Sequence, residues 1–122
     1  MRKTAFVLLA LCLSLSLSAF AAGDAPNGPL TKVDPKTVCM VNEMAMGKEQ
    51  IPVEVDGKTY YGCCEMCKNT LAVNDAKRVA KDPISGKTVD KALAVIAQNE
   101  EGRVFYFEND ANLAKHNTLY KK

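Results

Sequence analysis

Ile51, Val53 and Val55 alternate with Pro52, Glu54 and Asp56. A period of two puts the apolar set on one face of a strand and the polar set on the other. Asp56-Gly57 suits a tight turn, and Lys58-Thr59-Tyr60-Tyr61 returns, so the stretch predicts a β-hairpin. From Cys64 or Glu65 the period lengthens. Cys63, Cys67 and Leu71 are spaced by four, and Met66, Thr70 and Val73 fall three or four apart, which predicts a short helix straight after the hairpin. At that spacing Met66 is expected in the core. Asn74-Asp75 is suited to cap a further helical turn running to about Lys81, stopped by Pro83 because the residue before a proline avoids the helical region. Upstream, Thr37 to Gly47 has no clean period and reads as an irregular loop or knuckle.

The plan recurs past Pro83. Glu101-Gly102-Arg103-Val104-Phe105-Tyr106 lines up with Asp56-Gly57-Lys58-Thr59-Tyr60-Tyr61 at a constant offset of 45 residues. Ala92 to Gln98 predicts the partner strand, with Asn99-Glu100-Glu101-Gly102 as the turn. Asp110 or Asn109 is placed to cap a last helix carrying Leu113, His116, Asn117 and Tyr120. The chain therefore reads as an α+β protein of two ββα units in tandem. At the same offset Cys63, Cys64 and Cys67 correspond to Glu108, Asn109 and Asn112, so the second unit has no thiols and the first carries the chemistry.

The start of the chain has the parts of a secretory signal: Arg2 and Lys3, an apolar run from Phe6 to Leu17 broken only by Ser, and a small-x-small site at Ala19-Phe20-Ala21. Cleavage after Ala21 takes Lys+Arg from 16 to 14, equal to the 14 Asp+Glu, and a neutral mature chain speaks against a nucleic-acid or anionic-membrane partner. Cys12 lies within the apolar run and is left out of the functional count. Residues 22–35, rich in Gly, Pro, Asp and Asn, predict a flexible lead without structure of its own. The expected division is a signal peptide at 1–21, the lead at 22–35, a cysteine-bearing unit at 36–81 and a second unit at 82–122. The expected location is periplasmic or secreted, where both disulfides and metal binding are open.

Three thiols fall within five residues at Cys63, Cys64 and Cys67, and a fourth, Cys39, lies upstream. The start of a helix stabilises a thiolate through its free amides and positive dipole end. Cys64 and Cys67 have knuckle spacing for zinc, while Cys63 and Cys67 lie one helical turn apart, and either pair can converge on one ion with Cys39 as a third sulfur. Three or four soft donors select zinc(II), copper(I) or a heavier thiophilic ion over magnesium or calcium. Met40, Met44, Met46 and Met66 lie in the same segment and tilt the choice towards copper(I), with Met44 and Met46 the better thioether candidates. His116, the single His, is expected to be packed or exposed rather than a ligand.

These residues resemble the YHS and TRASH-type small metal-binding domains. The match consists of Cys39, a spacer, then Gly57-Lys58-Thr59-Tyr60-Tyr61-Gly62-Cys63 and, after three more residues, Cys67; Asp82-Pro83-Ile84-Ser85-Gly86 is similar to the family's Asp-Pro-x-Cys-Gly opening, with Ser85 in the place of its Cys. The resemblance implies treble-clef-like units and one metal ion on Cys39, Cys63 and Cys67. Cys64 is a thiol beyond the family pattern and stands as an alternative or fourth ligand. The expected function is buffering, trafficking or detoxification of copper or zinc, with a metal exporter or metal-accepting protein as partner. No catalytic constellation stands out, so the chain is read as a non-enzyme. Two rivals remain open: thiol–disulfide exchange at Cys64-Glu65-Met66-Cys67, and cysteines that only staple the fold through zinc or disulfides.

Overall fold

The computed structural model describes residues 26–120, so the signal-like segment and Cys12 lie outside the described residues. The expected hairpin is present as β4 (Ile51–Val55) antiparallel to β5 (Lys58–Gly62), with Val53 opposite Tyr60. Asp56 and Gly57 both have positive φ, 52° and 77°, the backbone that matches a two-residue turn to the twist of its strands. Helix α1 (Glu65–Val73) follows at once, with Cys64 at its N-cap. The fold is mixed α+β, built of small antiparallel sheets and two helices.

The segment read as an irregular knuckle contains two short paired strands, β2 (Val38–Cys39) and β3 (Met44–Ala45), joined by a tight loop with Glu43 at φ 59°. The run to Lys81 is not helical. A single 3-10 turn, Asp75–Lys77, ends at Arg78, whose guanidinium donates back to the Leu71 carbonyl; Val79–Lys81 then forms β6 against β7 (Thr88–Asp90). By its pairing, β6 goes with the residues that follow it. The expected strand at Ala92 to Gln98 begins only at Val95, because the Asp90 carboxylate and carbonyl accept from the amides of Ala92, Leu93 and Ala94 and hold them in a turn. Strand β8 (Val95–Gln98) pairs with β9 (Val104–Phe107), and α2 (Asp110–Leu119) follows, capped by Asn109. The order short hairpin, longer hairpin, helix thus occurs twice along the chain.

The lead is structured over its described part, contrary to expectation. Thr31–Lys32 forms β1 along the edge of β8, and Leu30 is buried with Ala97, Phe107 and Leu113. The Asn117 side chain satisfies both backbone groups of Leu30, at 2.8 and 2.9 Å, so an apolar side chain can be buried without orphaning its amide and carbonyl. Of the two placements the sequence left open for His116, packed or exposed, it is packed, between Phe107 and Tyr120, with its Nε2 2.9 Å from the Gly28 carbonyl.

The two repeats share one core. Val38, Met40, Val53, Tyr60 and Leu71 from the first pack with Val89, Ile96, Val104 and Tyr106 from the second. Ala45 donates to the Gly102 carbonyl at 2.7 Å and Val104 to the Glu43 carbonyl at 3.0 Å, while Asp90 joins Lys58 and the Tyr60 hydroxyl. Among the described residues no helix is long and apolar enough to cross a membrane.

Asp82, 1% exposed, is the polar centre of the second repeat. Its Oδ1 accepts from the amides of Ile84 and Ser85, and its Oδ2 from the Glu108 amide and the Asn112 Nδ2, both at 2.8 Å. Burial alone would raise its pKa, but these donors outweigh it and hold the carboxyl below its ordinary value. A depressed carboxyl contributes stability that is fully present above the unfolded value, about pH 4, and is lost as pH falls through the lower folded value. Asp82→Ala is expected to lower the unfolding free energy at neutral pH by about 3 kcal/mol, with a smaller deficit in strong acid, as read from denaturant melts across pH.

Candidate metal centre

Three elements bring the thiols together. Strand β2 ends on Cys39, and the following amide, Met40 N, donates to the Tyr61 carbonyl at 2.9 Å, which fixes that end beside β5. Strand β5 ends on Gly62, after which Cys63 leaves the sheet and Cys64 opens α1. Cys67 lies in the first turn of α1 and faces back onto the strand. Gly62 is required by this approach: a Cβ there would stand 2.9 Å from the Cys67 Cβ and 3.2 Å from the Lys68 amide nitrogen.

The Sγ atoms of Cys39, Cys63 and Cys67 all lie within 4.8 Å of one another, so the three form a group able to hold a metal ion. Cys39 and Cys67 are 3.9 Å apart, and Cys63 and Cys67 3.7 Å. Three sulfurs on a tetrahedral ion, each about 2.3 Å from it, stand about 3.8 Å apart, which the two separations from Cys67 match. All four described cysteines are free thiols, and these separations are far beyond a sulfur–sulfur bond. Cys39 and Cys67 are buried and Cys63 half-buried, so the group opens towards solvent on the Cys63 side.

Cys64 is not brought into this group. It is exposed, and its Sγ accepts from the Cys67 amide as the cap of α1. Asn42 carried no signal in the sequence beyond being a polar residue in the Cys39 loop, yet it reaches two thiols. Its backbone amide donates to Cys39 Sγ at 3.4 Å and its Nδ2 to Cys63 Sγ at 3.3 Å.

The methionines are scattered. Met40 is in the core, Met44 is half-buried, Met46 is 40% exposed and Met66, expected in the core, is 77% exposed. Of the two stripes that the spacing offers on α1, the one through Cys67 and Leu71 faces the hairpin, which leaves Met66 and Val73 outside.

Burial opposes ionisation of Cys39, but amides of Asn42, Val41 and Cys63 outweigh it and draw the thiol below its ordinary value. Burial pushes Cys67 up to about 12, with the neighbouring thiols of Cys64 and Cys63 adding to it. Cys63 is raised, chiefly by its contact with Cys39. Cys64 is lowered by the Cys67 backbone amide, as a cap should be. Within the trio, then, the surroundings favour the thiolate at Cys39 and oppose it at Cys63 and Cys67, where a bound cation would favour it.

The second repeat has a different centre in the corresponding place. Asn109 caps α2 as Cys64 caps α1, at φ −160° and −154°. The Asp82 carbonyl accepts from Gly86 and its Oδ1 from Ser85, as the Cys39 carbonyl accepts from Glu43 and its Sγ from Asn42. Within this chain, then, Asp82 takes the position of Cys39, while Ser85 is exposed and accepts from the Lys87 amide. Comparison with protein-family models, with curated proteins and with solved structures finds no match to this chain.

Gly62→Ala is expected to lower stability by about 1–3 kcal/mol, because neither the Cys67 Cβ nor the α1 backbone can yield freely. Chemical denaturation of the metal-free, reduced protein measures it.

Proposed function

We propose that the protein binds one soft transition-metal ion, copper(I) or zinc(II), on Cys39, Cys63 and Cys67, and that it buffers, carries or detoxifies that metal after export to a periplasmic or extracellular space. The observation that carries this reading is the mutual approach of three free thiols within 4.8 Å at the start of a helix, at separations suited to one ion. The half-exposed Cys63 leaves a side from which an ion can enter and leave, which suits exchange with an exporter or a metal-accepting protein better than a purely structural closed site. The repeated order of short hairpin, longer hairpin and helix supports assignment of both repeats to treble-clef-like, YHS/TRASH-type units, of which only the first is a metal unit. The Met residues favour copper(I) to the extent that Met44 and Met46 remain outside the core cluster. On this reading the protein is not an enzyme.

Metal analysis of protein purified without chelator tests it. About one equivalent of copper or zinc is expected in the wild type. Cys39→Ser, Cys63→Ser and Cys67→Ser are each expected to lose most of it, whereas Cys64→Ser, which keeps a helix cap, and His116→Ala are expected to keep it. No metal in the wild type, or full retention by the three Cys variants, overturns the proposal.

One observation favours thiol–disulfide exchange: Cys64 is exposed with a lowered thiol pKa at a helix start, three residues before buried Cys67. The metal reading expects the protein to be inert in an insulin-reduction assay, and turnover there would favour the redox reading.

A further inference from the structure

The second repeat holds no thiol, yet it supplies a buried ammonium that reaches the loop after Cys39. Lys91 follows β7 and is 2% exposed. Its Nζ donates to the Met40 carbonyl at 2.8 Å, pairs with the Glu43 carboxylate and lies 5.1 Å from the centre of the Tyr106 ring. Met40 and Glu43 belong to the four-residue loop between β2 and β3 that carries the Cys39 thiol into the group. Glu43 has a positive φ of 59°, a conformation that a non-glycine residue holds only when its surroundings impose it. Those surroundings are visible. Its amide donates to the Cys39 carbonyl at 2.9 Å, its carbonyl accepts from Val104 at 3.0 Å, and its carboxylate is tied to Lys91. A buried ammonium without partners is strongly unfavourable, so Lys91 can stay where it is only while the loop keeps the Met40 carbonyl and Glu43 in reach. The loop and the lysine therefore hold each other in one geometry.

We infer that Lys91 is a positioning residue for the Cys39 ligand, and that the second repeat acts as a brace which preorganises the metal site of the first. The inference rests on the metal reading above and assigns the thiol-free repeat a task in it. Preorganisation of this kind acts on affinity through the conformational freedom that the ligand no longer loses on binding.

The test uses Lys91→Met, which keeps the length and removes the charge, in reduced, metal-free protein. Two measurements are made: amide hydrogen exchange along the chain, and cobalt(II) titration followed by the thiolate-to-metal charge-transfer band. Faster exchange is expected in residues 39–45 with α1 and the β4–β5 hairpin unchanged. Cobalt affinity should fall about tenfold, and the band should approach that of Cys39→Ser, which has two thiolates in the group. Adding Lys91→Met to Cys39→Ser should lower affinity no further. Should Lys91→Met not fold, Glu43→Gln is expected to move both readouts in the same direction. Exchange that rises uniformly over the chain, or wild-type affinity and band in the variant, overturns the positioning role while leaving the metal reading intact. A wild-type protein that takes up no cobalt, zinc or copper overturns the metal reading and the positioning role together.

Discussion

Everything at the thiol group depends on how closely the end of a strand can approach the first turn of a helix. Gly62 allows that approach because it has no side chain, and the helix can then begin two residues later with Cys64 as its cap. Cys63 and Cys67 thereby come to face the same space from two different elements. The third sulfur comes from the far side of the hairpin, through the bond from Met40 N to the Tyr61 carbonyl. Dense packing leaves such a junction little freedom, so the sulfur separations follow from backbone geometry more than from side-chain choice.

The same junction is built twice with different chemistry. In the first repeat the space between loop and helix is lined by sulfur; in the second it is filled by the Asp82 carboxylate, whose oxygens accept from three amides and the Asn112 side chain. A carboxylate with four donors is complete within the protein. The three thiols instead form a group able to hold a metal ion. The shared core, to which Met40 and Tyr60 contribute with Ile96 and Tyr106, joins the two repeats.

A good part of this arrangement is legible in local signals of the sequence. The Asp56-Gly57 turn, the change of period at Cys64 and the spacing of Cys63 and Cys67 each report on neighbours in sequence, and each is found in the fold. What was not legible depends on partners far along the chain. Leu30 looked like part of a polar lead because its burial needs Asn117. Val79–Lys81 looked helical because its partner, Thr88–Asp90, lies across a proline loop. Met66 and Cys67 are adjacent and both fit a helical stripe; only the position of the hairpin decides which faces in. Asp82 gave no sign of its role, since its donors at Glu108 and Asn112 are 26 and 30 residues away.

The strap at Leu30 to Lys32 bears on the order in which the protein can be made. It crosses to β8, and Asn117, 87 residues on, closes both backbone groups of Leu30. A chain synthesised from its amino end presents this strap 87 residues before its clasp. Until Asn117 has arrived, the backbone groups of Leu30 lack the partners that let its side chain be buried. A chain cut short before Asn117 therefore lacks the clasp that closes the strap.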